Sequence, residues 1–199
     1  VASGANRKVD VLLSDAAGTS FSYLAYPAFF RGGAEVVSGD VDGDGELEII
    51  TGAGAGGGPQ VRIFDQRGNV KGQFFAYDSK FRGGVHVTAA DFDGDGVDEI
   101  VTSAGAGLSS EVKIVDVAGR VKWSFKVTAD GLKGGVTVRA ADVDNDGEVE
   151  VITGTGGGSL PLVQIFDKMG VREASWLAYP AFFRGGVNVA VGDVDGDGA

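Results

Sequence analysis

The pattern D-x-D-x-D-G occurs four times in this chain, and successive copies begin 51 residues apart. The copies start at Asp40, Asp91, Asp142 and Asp193. One copy would be a modest hint of a cation site. Four at a fixed spacing predict a repeat protein in which every unit carries the same loop. Alternating Asp residues in a tight loop aim three carboxylates at one small volume. Two carboxylates about 4 Å apart repel by roughly 4 kcal/mol at an effective dielectric near 20, so the arrangement calls for a cation. Calcium suits it, because calcium takes several oxygen ligands in a tolerant geometry. The sixth position is Gly in all four copies. A residue there must turn the backbone sharply, and Gly does so at least cost.

The expected ligands of the first loop are Asp40, Asp42, Asp44, Glu46 and Glu48. Those of the second are Asp91, Asp93, Asp95, Val97 and Glu99, and those of the third Asp142, Asp144, Asp146, Glu148 and Glu150. The seventh position varies (Glu46, Val97, Glu148), as expected where only a backbone carbonyl binds. The ninth is an acid in all three. The fourth copy supplies Asp193, Asp195 and Asp197 but ends at Ala199, its seventh position. Three complete calcium sites and one incomplete site are therefore expected.

Two competing readings fit less well. Turn chemistry alone needs one or two Asp, not three and a Glu. An EF-hand needs a bidentate Glu at position 12 and flanking helices. Here position 12 is Thr51, Thr102 or Thr153, and the flanks, such as Val85-His-Val-Thr-Ala-Ala90, read as strands. Nonapeptide calcium rolls have a far shorter period.

The net charge of −11 is mostly a signature of these loops. It argues against nucleic acid and anionic membrane as partners, since both call for clustered Lys and Arg. No run of apolar residues is long enough for a membrane span. The chain has no cysteine, so it has neither disulfides nor thiol chemistry. Loops of this kind fill at extracellular calcium levels, which places the protein outside the cell or on its surface. With Val first and no signal segment, the chain reads as a mature or excised piece.

The segments between loops repeat one grammar. An apolar run follows each loop (Leu47-Glu-Ile-Ile-Thr51), then a Gly-rich turn, then an alternating segment such as Val61-Arg-Ile-Phe64. The hairpin signals Asp65/Gly68, Asp116/Gly119 and Asp167/Gly170 come next, followed by a segment such as Phe74-Phe-Ala-Tyr77. Gly-Gly pairs recur at 32–33, 83–84, 134–135 and 185–186, and a further strand, such as Val187 to Val191, opens the next unit. Four short strands per unit and no helical periodicity predict an all-β fold: a β-propeller of about four 51-residue, four-stranded repeats, treated as one domain over 1–199.

On these residues the chain resembles the FG-GAP repeats of integrin-alpha-like and VCBS-type propellers. The Phe-Gly element appears as Phe-Arg-Gly-Gly at 30–33, 81–84 and 183–186, the Gly-Ala-Pro element as Gly52-Ala53-Gly54, and the calcium loop as above. The ninth-position Glu replaces the family's usual Asp, and the Pro is missing. Val1-Ala2-Ser3 matches the end of a second strand, so the chain amounts to nearly four units. A closed four-bladed ring, an eight-bladed homodimer and a slice of a longer chain remain open.

Other features carry weaker signals. Leu-Ala-Tyr-Pro-Ala-Phe-Phe-Arg-Gly-Gly occurs identically at 24–33 and 177–186. Tyr26, Phe29, Phe30 and Arg31 suit a sugar-stacking or cation–π site, but packing between units is the preferred reading. Glu35, His86, Thr137 and Asn188 share one repeat position and are expected either to line a central channel or to face solvent. His86 is the sole histidine, and no nucleophile elbow accompanies it. The G-x-G-x-x-G match at 52–57 precedes no helix and is discounted. The paired acids belong to the metal loops rather than to a glycosidase. The expected function is thus non-enzymatic: a calcium-stabilised propeller for adhesion or for binding a protein or glycan. The alternatives are a lectin and a non-catalytic domain of an extracellular enzyme.

Overall fold

A computed structural model describes residues 8–14, 20–108, 110–129 and 131–192. Among these residues every regular element is a strand. β1 (Asp10–Ser14) and β2 (Ser20–Leu24) form an antiparallel pair. Three four-stranded antiparallel sheets follow in meander order. The first holds β3 (Ala34–Gly39), β4 (Glu48–Ala53), β5 (Gln60–Phe64) and β6 (Val70–Phe75). The second holds β7 (Val85–Ala90), β8 (Glu99–Ala104), β9 (Glu111–Val115) and β10 (Val121–Lys126). The third holds β11 (Val136–Ala141), β12 (Glu150–Thr155), β13 (Leu162–Phe166) and β14 (Arg172–Leu177).

Burial explains the composition of each strand. All six residues of β4, β8 and β12 are buried. A strand covered on both faces needs small or apolar side chains throughout, and Glu-Ile-Ile-Thr-Gly-Ala supplies them apart from its acid. The outer strands β6 and β10 alternate between exposed and half-buried. The cores lie between successive sheets. Val41, Ile50 and Ile63 of the first sheet meet Val85, Val87 and Ile100 of the second. Val101, Val112 and Ile114 of the second meet Val136, Val138 and Val151 of the third. The first strands β3, β7 and β11 run side by side in that order. This succession of stacked four-stranded sheets is propeller-like. Full burial of one such Val or Ile contributes about 1.5–3 kcal/mol, so no sheet would be stable without its neighbours.

Polar staples fix the docking. The Tyr26 hydroxyl, on the segment after β2, lies 3.0 Å from the carbonyl oxygens of Thr51 and of Gln60 in the next sheet. Tyr77 repeats this at 3.1 Å from the Thr102 carbonyl and 2.7 Å from that of Glu111. The third unit has Thr128 at this position, and there Gln164 reaches over to bond the Thr128 carbonyl. Close backbone approach at the Gly-Gly turns does the rest. A Cβ on Gly54 would come within 2.2 Å of the Gly32 carbonyl oxygen.

The segment 187–191, expected as a strand, is not one. Val187 and Val189 pack on Ile152 and Val163, and the Val187 amide bonds the Thr155 carbonyl. No ladder partner for it stands among the described residues, and a strand is defined by that pairing.

Candidate cation loops and a polar cluster between sheets

Each acidic loop joins the first strand of a sheet to its second. In the first loop the Asp40 carboxylate accepts from the amides of Gly43 (2.7 Å) and Gly45 (2.8 Å), which curls the chain around it. Asp44 accepts from the Glu46 amide. Glu48, the first residue of β4, turns back and accepts from the Val41 amide at 3.2 Å. The second loop repeats the arrangement through Asp91, Asp95 and Glu99. Gly45, Gly96 and Gly147 sit at φ of 85°, 85° and 91°, as the turn requires. The fourth loop position is left-handed as well, at Gly43, Gly94 and Asn145. Asn tolerates that region better than other side chains do, which accounts for the Gly-Gly-Asn series.

Ligand oxygens of Asp40, Asp42 and Glu48 lie within 4.8 Å of one another, as do those of Asp91, Asp93 and Glu99 and those of Asp142, Asp144 and Asp146. Those three groups suit a hard cation. Every donor is a carboxylate oxygen, and Glu48, Glu99 and Glu150 are buried charges that need a partner. In the third loop one carboxylate oxygen of Asp142 is shut off from solvent and has no hydrogen-bond partner.

The expected ligands are not all brought together. Glu46 and Glu148 are exposed and stand outside the clusters, and Val97 offers only backbone. Asp44 and Asp95 cap backbone amides in their own loops. In the third loop Asp146 joins the cluster, while Glu150 bonds the Val143 amide beside it. Asp193, Asp195 and Asp197 lie outside the described residues.

Residues without a signal of their own in the sequence complete the picture. The Lys71 ammonium stands among the first loop's acids, 2.5 Å from Asp42, 3.0 Å from Asp44 and 2.9 Å from Glu48. These contacts hold it well above the ordinary lysine range. Lys122 bonds Asp93 (2.8 Å) and Glu99 in the same way. Successive loops also touch, for the Asp98 amide donates to the Asp40 carbonyl at 2.7 Å. Burial, with Asp91 and Asp40 close by, pushes the Asp98 carboxyl up.

A second polar site lies where the first strands converge. Glu35 of β3 accepts from Arg139 of β11 at 2.9 Å, and its other oxygen is 3.2 Å from His86 Nδ1 and 3.1 Å from the Val87 amide. Burial pushes the Glu35 carboxyl up, but His86 and Arg139 outweigh it and hold the group below the ordinary value. Glu35, His86, Thr137 and Asn188 all line one open pocket of about 490 Å³. Sequence reasoning missed Arg139. Its equivalents two and one repeats earlier are Val37 and Thr88, and a lone basic residue in that series was the available signal.

The aromatic–Arg segments divide. Tyr26 is buried and meets Phe30 edge-on, so it packs. Arg31 bonds the backbone carbonyls of Ala28 and Phe30. Phe29 and Phe182 are exposed.

Comparison with known proteins bears on the fold. Residues 40–102, which contain the first two loops, match the family described as FG-GAP-like repeat. No curated protein sequence matches the chain. Among solved structures, the exotype rhamnogalacturonan lyase YesX aligns with a TM-score of 0.59 at 15% identity, over 100% of this chain and 40% of that one. The chain thus spans 40% of the length of that neighbour, and the likeness is one of fold.

Proposed function

We propose that this chain, whose residues 40–102 match the FG-GAP-like repeat, is a calcium-binding propeller-type module that acts outside the cell, its calcium being structural. The observation that carries the proposal is the clustering of three carboxylates within 4.8 Å in each described loop, where the first strand of a sheet turns into its second. Asp40, Asp42 and Glu48 would hold the ion in the first loop, Asp91, Asp93 and Glu99 in the second, and Asp142, Asp144 and Asp146 in the third. Because Asp98 of the second loop bonds the Asp40 backbone, an ion that orders one loop also steadies the next sheet.

The work of such a module is recognition: a protein or glycan held on a face built from the loops between strands. It is not catalytic. The clustered acids are committed to the loops, and Glu35 is engaged by both His86 and Arg139. The test is binding of the labelled full chain to a glycan array and to cell-surface protein, in calcium and in chelator. Calcium-dependent binding is expected.

A second reading makes the chain a non-catalytic part of an extracellular carbohydrate-active enzyme. The fold likeness to a rhamnogalacturonan lyase and the exposed Phe29 and Phe182 favour it. Pectic glycans belong on the array for that reason, with Phe29→Ala and Phe182→Ala expected to weaken any such binding. Turnover of rhamnogalacturonan by the isolated chain would overturn both readings.

A further inference from the structure

The three described loops are not electrostatically equivalent. The difference arises at one position on the outermost strand of each sheet. The register shifts there, so that two residues of the outer strand oppose one of its neighbour: Lys71 lies between Val70 and Gly72, and Lys122 between Val121 and Trp123. Such a bulge re-aims a side chain. It turns each lysine onto the acidic loop of its own sheet, where the ammonium bonds the buried ninth-position acid, Glu48 or Glu99, and the loop aspartates. The third sheet has the same shift, between the pairs Ile165–Ala174 and Phe166–Arg172. The residue placed there is Glu173.

We propose that Lys71 and Lys122 are built-in counter-ions that compete with calcium, and that the loop at 142–150, with Glu173 in their place, is the strongest calcium site of the three. The inference rests on reading these loops as cation sites. To accept a divalent ion, the first loop must release an ammonium from Asp42, Asp44 and Glu48, and the second must release one from Asp93 and Glu99. The exit is open, since both lysine side chains are about a third exposed.

The third loop holds no such ammonium among the described residues. Glu150 is as buried as Glu48 and Glu99, yet its hydrogen bond is to the Val143 amide alone. The inner oxygen of Asp142 is shut off from solvent without a partner, whereas Asp40 and Asp91 use the corresponding oxygen to take the Gly43 and Gly94 amides. Glu173 is an exposed carboxylate at the bulge, so the outer strand brings this loop no ammonium at that position. Among the described residues Lys168 makes the one ion pair to an acid of this loop. It stands 4.0 Å from the exposed Glu148 and donates to the Phe92 carbonyl of the neighbouring sheet. Each cluster offers three carboxylates, so what ranks the third loop first is that no ammonium offsets their charge, affinity in calcium loops rising with net ligand charge.

Calcium titration of the full chain, followed at the backbone amides of Gly45, Gly96 and Gly147 by NMR, reads each loop separately, because each amide bonds the first Asp of its loop. The Gly147 signal is expected to move at calcium concentrations about tenfold or more below those for Gly45 and Gly96. In the double variant Lys71→Gln, Lys122→Gln the Gly45 and Gly96 midpoints should fall to within about threefold of Gly147. Glu173→Lys should raise the Gly147 midpoint about tenfold, and Glu173→Gln, which removes charge without adding a counter-ion, should raise it less. Thermal melts without calcium confirm that each variant folds. Three loops filling together in the wild type, or an order unchanged in the lysine double variant, would overturn the inference and leave the loops as calcium sites. Silence of all three amides in every variant would remove that underlying reading too.

Discussion

At the scale of single residues, the polar side chains that cross between sheets matter most. Tyr77 spans to two carbonyls of the following sheet from a buried position, so Tyr77→Phe leaves both without that donor. Its unfolding free energy in urea should fall by about 1–2 kcal/mol. Glu35 makes a pH prediction. Its folded carboxyl is held below the ordinary value of 4.5, so its stabilising contribution is complete above that value. The contribution disappears as pH falls through the lower, folded value. Glu35→Gln should therefore lose about 1.5–3 kcal/mol near neutral pH, the worth of hydrogen bonds to a charged group. It should lose less at acid pH, as the pH falls below the ordinary value toward the lowered, folded one. Equal losses at neutral and acid pH, measured by urea unfolding, would show that the contacts of the ionised carboxylate with His86 and Arg139 contribute nothing.

At the scale of the element, the turns separate two roles of glycine. Gly45 has a positive φ and open space around the place of its missing side chain, so Gly45→Ala costs only backbone strain, roughly 1–2 kcal/mol. At Gly54 an added Cβ would meet the Gly32 carbonyl oxygen at 2.2 Å, so Gly54→Ala must push two turns apart. It should cost more than Gly45→Ala by at least about 1 kcal/mol. Thermal melts of the two variants decide the ranking. Strand positions were legible in the sequence because the apolar patterns between loops repeat with the same spacing. The run Glu48–Ala53 reveals its burial on both faces by lacking alternation. The bulge at Lys71, Lys122 and Glu173 was not legible, since a register shift depends on how two strands pair and leaves no local composition signal. The 51-residue series through those positions was present all the same, with the sign of the charge reversed at Glu173. Arg139 escaped for a similar reason: its partner Glu35 lies two repeats away, and only the convergence of β3 and β11 brings them together.

At the scale of the whole molecule, stability belongs to the stack rather than to any sheet. Each core is shared between neighbours, and the Tyr staples and touching loops act across the same junctions. On the proposed reading, calcium held in the loops would stabilise the folded state by mass action, to a degree set by the excess of free ion over its dissociation constant. The most direct test of the central claim is a pair of thermal melts of the full chain, one in millimolar calcium and one in chelator, with the bound ions counted by calorimetry. The account predicts calcium binding at the described loops and a fall in melting temperature of several degrees or more on chelation, as expected for a loss of about 1 kcal/mol or more. No bound calcium and superimposable melts would contradict it, and would leave the aspartates as turn formers neutralised by lysine.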